Sequence, residues 1–262
     1  MQQDRPLSDA EALAIADWYR AAGVDVAVGD EPVDRFAASV VKPRPKAVAA
    51  APALPEAALK AEPTETKALA AEAKTLDDLK AAMAAYDGCG LKARAKQLCF
   101  ADGNPEADIM MVGEAPGSEE DQQGKPFVGR AGQLLDRMLK AVGLDRTQVF
   151  IVNTVPWRPP GNREPTPDEM ALCRPFLERQ VELVAPKLLV TLGNVPTKAL
   201  FGTSTGIMRM RGQWKDLTIG GHTAPAIAML HPAYLLRQPA HKGLAWRDML
   251  ALRTRMSELG QH

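Results

Sequence analysis

Short apolar runs recur along the carboxyl-terminal two thirds of the chain, and each is followed by a stretch whose apolar positions fall three or four residues apart. The run Ile109-Met110-Met111-Val112 predicts a strand over 108–113, followed by a helix over about 131–142. The pattern repeats as strand 149–155 and helix 167–184, then strand Leu188–Leu192 and helix 196–201, then strand 226–230 and helix 243–259. Such strand–helix units build a mostly parallel sheet, because each helix carries the chain back to start the next strand in the same direction. The expected fold is α/β, a three-layer α/β/α arrangement around a central, mostly parallel sheet. A further helix is expected from Leu76 to Tyr86, capped by Thr75.

The pattern changes ahead of that helix. Over residues 8–23, a Ser8 cap and apolar Ala10, Leu13, Ala14, Trp18 and Ala22 predict one short amphipathic helix ending at Gly23. From about Val40 the chain reads KPRPKAVAAAPALPEAALKAEP, alanine and proline with scattered charge, which buries too little apolar area to offset chain entropy. The expected organisation is an N-terminal helical segment at 1–39, an Ala/Pro-rich flexible linker at 40–73, and a folded domain at 74–262.

Composition adds little until it is divided along the chain. Lysine plus arginine and aspartate plus glutamate both number 32 in 262 residues, so net charge does not point to a polyanionic partner. Residues 1–35 hold eight of the acidic and only three of the basic side chains, which leaves the remainder positive by five. Arg209, Arg211, Lys215, Arg237, Lys242, Arg247, Arg253 and Arg255 crowd the end of the sequence, a distribution suited to phosphate contact. Three cysteines cannot all pair, and neither a signal peptide nor an apolar run of membrane-spanning length is evident. The expected setting is the cytoplasm, nucleoid-associated in a bacterium, with reduced thiols and no membrane partner.

The most informative stretch is Gly113 to Gly132, GEAPGSEEDQQGKPFVGRAG, directly after the first predicted strand. Its glycines permit close backbone approach to a ligand, and Phe127 offers a flat ring for stacking. Glu114, Asn153 and His231 also fall at or just after strand ends, where open α/β sheets bind ligands. An aromatic platform, an amide with both donor and acceptor, and an imidazole are the groups required to hold a flat polar base and meet negative charge developing on it. His231 precedes Pro232, which restricts its backbone to extended conformations.

This glycine-rich segment, together with Val149–Asn153, Arg158-Pro159-Pro160-Gly161-Asn162-Arg163 and His231-Pro232-Ala233-Tyr234-Leu235-Leu236, resembles the motifs of the family 4 uracil-DNA glycosylases over roughly residues 74–262. The resemblance implies a monofunctional hydrolase that extrudes deoxyuridine, cleaves its N-glycosidic bond with water and leaves an abasic site in base-excision repair. It implies that Phe127 stacks on uracil, Asn153 reads its amide edge and His231 faces O2, with Gly113 and Ala115 lining the same pocket. Glu114 is open to three roles: orienting water, stabilising the cationic sugar, or holding the turn. Arg158 and Arg163 are expected on the DNA path, and Leu235, Leu236 and Arg237 are candidates to fill the space left by the extruded base. Expected partners are uracil-containing DNA and downstream abasic-site factors, for a protein acting as a monomer. Competing readings are a uracil- or abasic-site-binding protein of low turnover and a glycosylase for deaminated purines.

The chain departs from the family in one place. Family 4 members hold an iron–sulfur cluster with four cysteines, and Cys89 and Cys173 match two of those positions, whereas Tyr86 and Trp157 stand at the other two. Neither phenol nor indole is an ordinary replacement for a cluster thiolate, and Cys99 lies outside the pattern. The expectation is no metal and no cofactor.

Overall fold

The computed structural model describes residues 63–259. The helix expected at 8–23 and the linker expected from residue 40 up to residue 62 lie outside the described residues.

Among the described residues, six strands form one sheet: β1 (Asp102–Gly103), β2 (Ile109–Gly113), β3 (Val149–Asn153), β4 (Leu188–Leu192), β5 (Trp214–Ile219) and β6 (His222–Met229). Their order is β1-β3-β2-β4-β6-β5, with β3, β2, β4 and β6 mutually parallel and β1 and β5 antiparallel on the two edges. The expected mostly parallel sheet is therefore the observed one. Strands β2, β3 and β4 are buried along their full length, as parallel strands covered on both faces must be.

Alternation along the strands divides the core into two layers. Ile109, Met111, Ile151, Val190, Ile227 and Met229 face α4 (Arg130–Ala141) and α9 (Lys242–Leu259), meeting Leu135, Leu139, Met249 and Leu252. Met110, Val112, Phe150, Val152, Leu189 and Ala226 face α5 (Pro167–Val184) and α6 (Asn194–Phe201), through Leu177, Val181 and Leu200. A third cluster beside the sheet holds Leu79 and Met83 of α2 (Leu76–Ala85) with Tyr86, Trp157 and Phe176. Thr75 caps α2 as expected, its side chain accepting from the Asp78 N–H while Asp78 accepts from the Thr75 N–H.

The linker expectation over 40–73 is corrected from Pro63 onward. Residues Pro63–Glu72 form a helix, α1, that packs on α5. Thr66, Ala70 and Ala73 are buried there, and the Arg179 guanidinium donates to the Ala73 carbonyl at 2.8 and 2.9 Å. Alanine has the highest helix propensity, and its small side chain lets two helices approach closely, so an alanine-rich segment packs here despite its small apolar area. The packed body thus begins before residue 74.

Candidate functional site

Strands β2, β3, β4 and β6 all point their carboxyl ends at one edge of the sheet, where a cavity of about 520 Å³ opens. Gly113 and Asn153 are register partners on β2 and β3; Asn153 reaches the cavity, whereas Gly113, expected to line it, lies behind Asn153 and Phe127. A Cβ on Gly113 would stand 2.4 Å from Asn153 Oδ1 and 2.5 Å from the Phe127 ring. Only glycine leaves room for both groups. Asn153 is buried, and its Oδ1 has no hydrogen-bond partner. Buried amide oxygens are almost always paired, so this one is held ready for a donor brought by a ligand.

Phe127 reaches the cavity from the loop after α3 (Ser118–Gln123), a short helix within the glycine-rich stretch. Its backbone is left-handed, with φ 55°, an uncommon state for a non-glycine residue. The turn is clamped from two sides. Glu120 accepts from the N–H groups of Gly117 at 3.1 Å and Gly129 at 2.9 Å, tying both ends of the loop to one carboxylate. Gly132, in the first turn of α4, lies so close to the Phe127 carbonyl that a Cβ would sit 1.6 Å from its oxygen.

His231 follows β6 and caps α8 (Pro232–Arg237). Its backbone is extended, as Pro232 requires, and Nδ1 accepts from the Ala233 N–H at 3.1 Å. That bond fixes the tautomer: Nδ1 is the acceptor, so the proton of the neutral ring is on Nε2. Burial, with the Arg237 charge adding to it, pushes the imidazole down from 6.5 to about 4. The ring is therefore neutral and donating near pH 7. It lies 5.4 Å from the Phe127 ring, tilted by 30°, and its Cβ and ring back onto Gly193 at the end of β4.

Three carboxylates reach the cavity, in different states. Glu120 is engaged in the loop clamp, and Glu164 is exposed on the rim. Glu114 is half-buried, and burial first, then the Glu164 charge, raises its pKa above the ordinary 4.5 against the opposing pull of Arg237. Ala115 lines the cavity beside it.

The expected DNA contacts divide. Arg237 is exposed at the cavity rim. Arg158 is held by Asn162 Oδ1 at 2.7 Å and lies 3.9 Å from buried Asp121. Arg163 makes a two-pronged ion pair with Glu169 at 2.6 and 2.8 Å, fastening the start of α5. Leu235 is corrected: it is 1% exposed and packs into the core with Leu134, Leu230 and Ala245, because the helical turn from His231 aims it inward. Leu236 is half-buried on the flank of the same cluster. Arg211, one of the late cations, is taken by buried Asp248 through Nε at 2.9 Å.

Sequence reasoning missed Glu120, Asn194 and Tyr234, all of which reach the cavity. For Glu120 a signal was present, a glutamate three residues into a helix after a glycine.

Tyr86, Cys89, Trp157 and Cys173 do come together, buried in one apolar cluster with Phe176. The Cys173 thiol beside it pulls the Cys89 thiol down, while Cys89 and burial push Cys173 up. Burial pushes the Tyr86 phenol up to about 12, and its oxygen has no hydrogen-bond partner.

Comparison with known proteins agrees with this geometry. Residues 100–250 match the Uracil DNA glycosylase superfamily. The Type-4 uracil-DNA glycosylase of Sulfurisphaera tokodaii is 45% identical over 143 residues, which cover 50% of this chain and 65% of that protein. That of Archaeoglobus fulgidus is 38% identical over 170 residues, covering 63% of this chain and 85% of its own. That of Saccharolobus solfataricus is 40% identical over 161 residues, covering 60% and 74%. With a sheet-edge cavity that joins Phe127, Asn153 and His231, and with these relatives, the chain belongs to the uracil DNA glycosylase superfamily, among its type-4 members.

Proposed function

We propose that this chain draws deoxyuridine out of DNA into the cavity, hydrolyses its N-glycosidic bond and leaves an abasic site for downstream repair factors. The observation that carries the reading is the buried, unpartnered Asn153 Oδ1 facing the same cavity as the Phe127 ring and a neutral His231. Uracil complements that set. Its ring lies against Phe127, its N3–H donates to Asn153 Oδ1, and its O4 accepts from Asn153 Nδ2. His231 Nε2–H donates to O2.

As the C1′–N1 bond breaks, its electron pair passes to the uracil ring and the sugar becomes oxocarbenium-like. The hydrogen bond to O2 then strengthens, so it lowers the transition state more than the ground state. A neutral donor suits this step, since an imidazolium would also tighten the ground state through its full charge. Glu114 is the cavity carboxylate that is neither clamped like Glu120 nor exposed like Glu164, and we assign it to face the cationic sugar and the incoming water. Water adds to C1′, its proton is lost, and the departing uracil anion is protonated. Arg237 stands exposed at the rim and Leu236 precedes it on α8, and we assign both to the DNA strand.

The residues at the cluster positions do not fit an iron–sulfur cluster. Two positions are buried thiols, the third is a phenol held neutral, and the fourth is an indole, which only donates. Tight packing of Tyr86 and Trp157 against Phe176 supports a region held by apolar contact, and no step of the reaction is routed through a metal.

Multiple-turnover assays on matched oligonucleotides carrying uracil, hypoxanthine or an abasic analogue test the reading. We expect several equivalents of free uracil per chain and no release of hypoxanthine. Release of hypoxanthine alone, or tight binding without turnover, would replace it with one of the competing readings.

A further inference from the structure

We propose that Arg146 is a positioning residue for base capture, acting through the backbone of Phe127; this rests on the stacking role given to Phe127 above. Arg146 opens a single 3-10 turn before β3 and does not itself line the cavity. Its guanidinium is part-buried and makes four hydrogen bonds. Nη2 donates to the Phe127 carbonyl, Nη1 to the Pro126 carbonyl at 3.4 Å and to Asp102 at 2.5 Å, and Nε to Asp136 at 2.7 Å.

The left-handed backbone of Phe127 makes this fork consequential. Such a conformation is costly for a bulky L-residue, so it persists only where the surroundings hold it. Glu120 fixes the ends of the loop and Gly132 makes space beneath the carbonyl, but the group that grips that carbonyl is Arg146. The two carboxylates hold the guanidinium plane so that its other edge meets two successive carbonyls. Without the fork, φ at Phe127 relaxes toward its ordinary negative range and the ring leaves the space over Gly113. Lysine keeps the charge for Asp102 and Asp136 but presents one donor point, so it cannot grip both carbonyls.

A double-mutant cycle distinguishes positioning from bulk stabilisation. Single-turnover uracil excision would be measured for the parental chain, Arg146→Gln, Phe127→Ala and the double variant, with thermal denaturation of each. We expect Arg146→Gln to slow excision about tenfold or more in the parental background, as a misplaced contact does. In the Phe127→Ala background it should add less than about twofold, because interacting sites are non-additive. Should Arg146→Gln not fold, Arg146→Lys replaces it in the same cycle with the same expectation. In parallel, 4-fluorophenylalanine placed at position 127 should give one sharp fluorine resonance in the parental chain and a shifted or broadened one in the variant. Equal slowing in both backgrounds, or an unchanged fluorine resonance, would overturn the inference. A parental chain that excises no uracil would instead count against the function, and the fluorine measurement would still decide the role of Arg146.

Discussion

At the scale of single residues, the site depends on groups kept in one protonation and hydrogen-bonding state. Asn153 offers uracil an acceptor and a donor on one side chain. Asn153→Asp replaces the donor by a second acceptor, so uracil excision should be lost while a cytosine amino group becomes the better match; unchanged uracil turnover in that variant would remove Asn153 from the pocket. His231 is lowered to about 4 and Glu114 is raised above 4.5, which separates their pH behaviour. The imidazole stays neutral through the pH range in which a free histidine titrates, so the acid limb of the single-turnover rate belongs to Glu114. That limb should persist in His231→Ala and disappear in Glu114→Gln, and a limb that vanished with the histidine instead would mean that the ring titrates during catalysis. The sign for stability follows. Because the folded state holds His231 neutral, its contribution is full above the unfolded value of 6.5 and is lost as pH falls toward about 4. The melting temperature of the parental chain should therefore drop more steeply between those values than that of His231→Ala. Asn153 and His231 were legible in the sequence because each residue type, at a strand end, has a distinct chemistry, and Phe127 because it is the one aromatic ring in the glycine-rich loop. Leu235 was misread because an apolar residue after a site motif fits the core and the DNA stack equally well, and only the turn of α8 decides between them.

At the scale of elements, the four parallel strands were legible because each contains an apolar run followed by a helix, although β6 begins four residues ahead of its run, at His222. The edge strands were not. Two-residue β1 carries no period at all, and half of β5 is exposed, with Lys215, Asp216 and Thr218 interrupting any apolar alternation. Helix α1 was hidden by its composition, since Ala70 and Ala73 contribute through close fit against α5 and not through apolar bulk. Its role can be measured by truncation. A chain beginning at Pro63 should keep its melting temperature and its excision of uracil from short oligonucleotides, because the site lies wholly downstream. A chain beginning at Lys74 also loses α1 and uncovers α5. Its melting temperature should fall by several degrees, at about 2–4 °C for each kcal/mol in a domain of this size. Equal stability of the two truncated chains would show that α1 adds nothing to the fold.

At the scale of the whole molecule, a rigid sheet presents one edge as an active site while an apolar cluster stands beside it where the family places its cluster ligands. No helix among the described residues is long and apolar enough to cross a membrane. The purified chain, prepared anaerobically, should be colourless and carry no stoichiometric iron or acid-labile sulfide, because two of the four positions are Tyr86 and Trp157. About four iron atoms per chain with a visible charge-transfer band would contradict that reading. The central claim, that Phe127, Asn153 and His231 form a uracil-excising site, is tested most directly by His231→Ala under single-turnover conditions, with DNA affinity and thermal stability measured on the same protein. Since the Nε2–H donor meets charge that appears only as the base departs, excision should slow by roughly a hundredfold to a thousandfold, while affinity for uracil-containing DNA changes far less. A folded His231→Ala protein that releases uracil at the parental single-turnover rate would contradict the account.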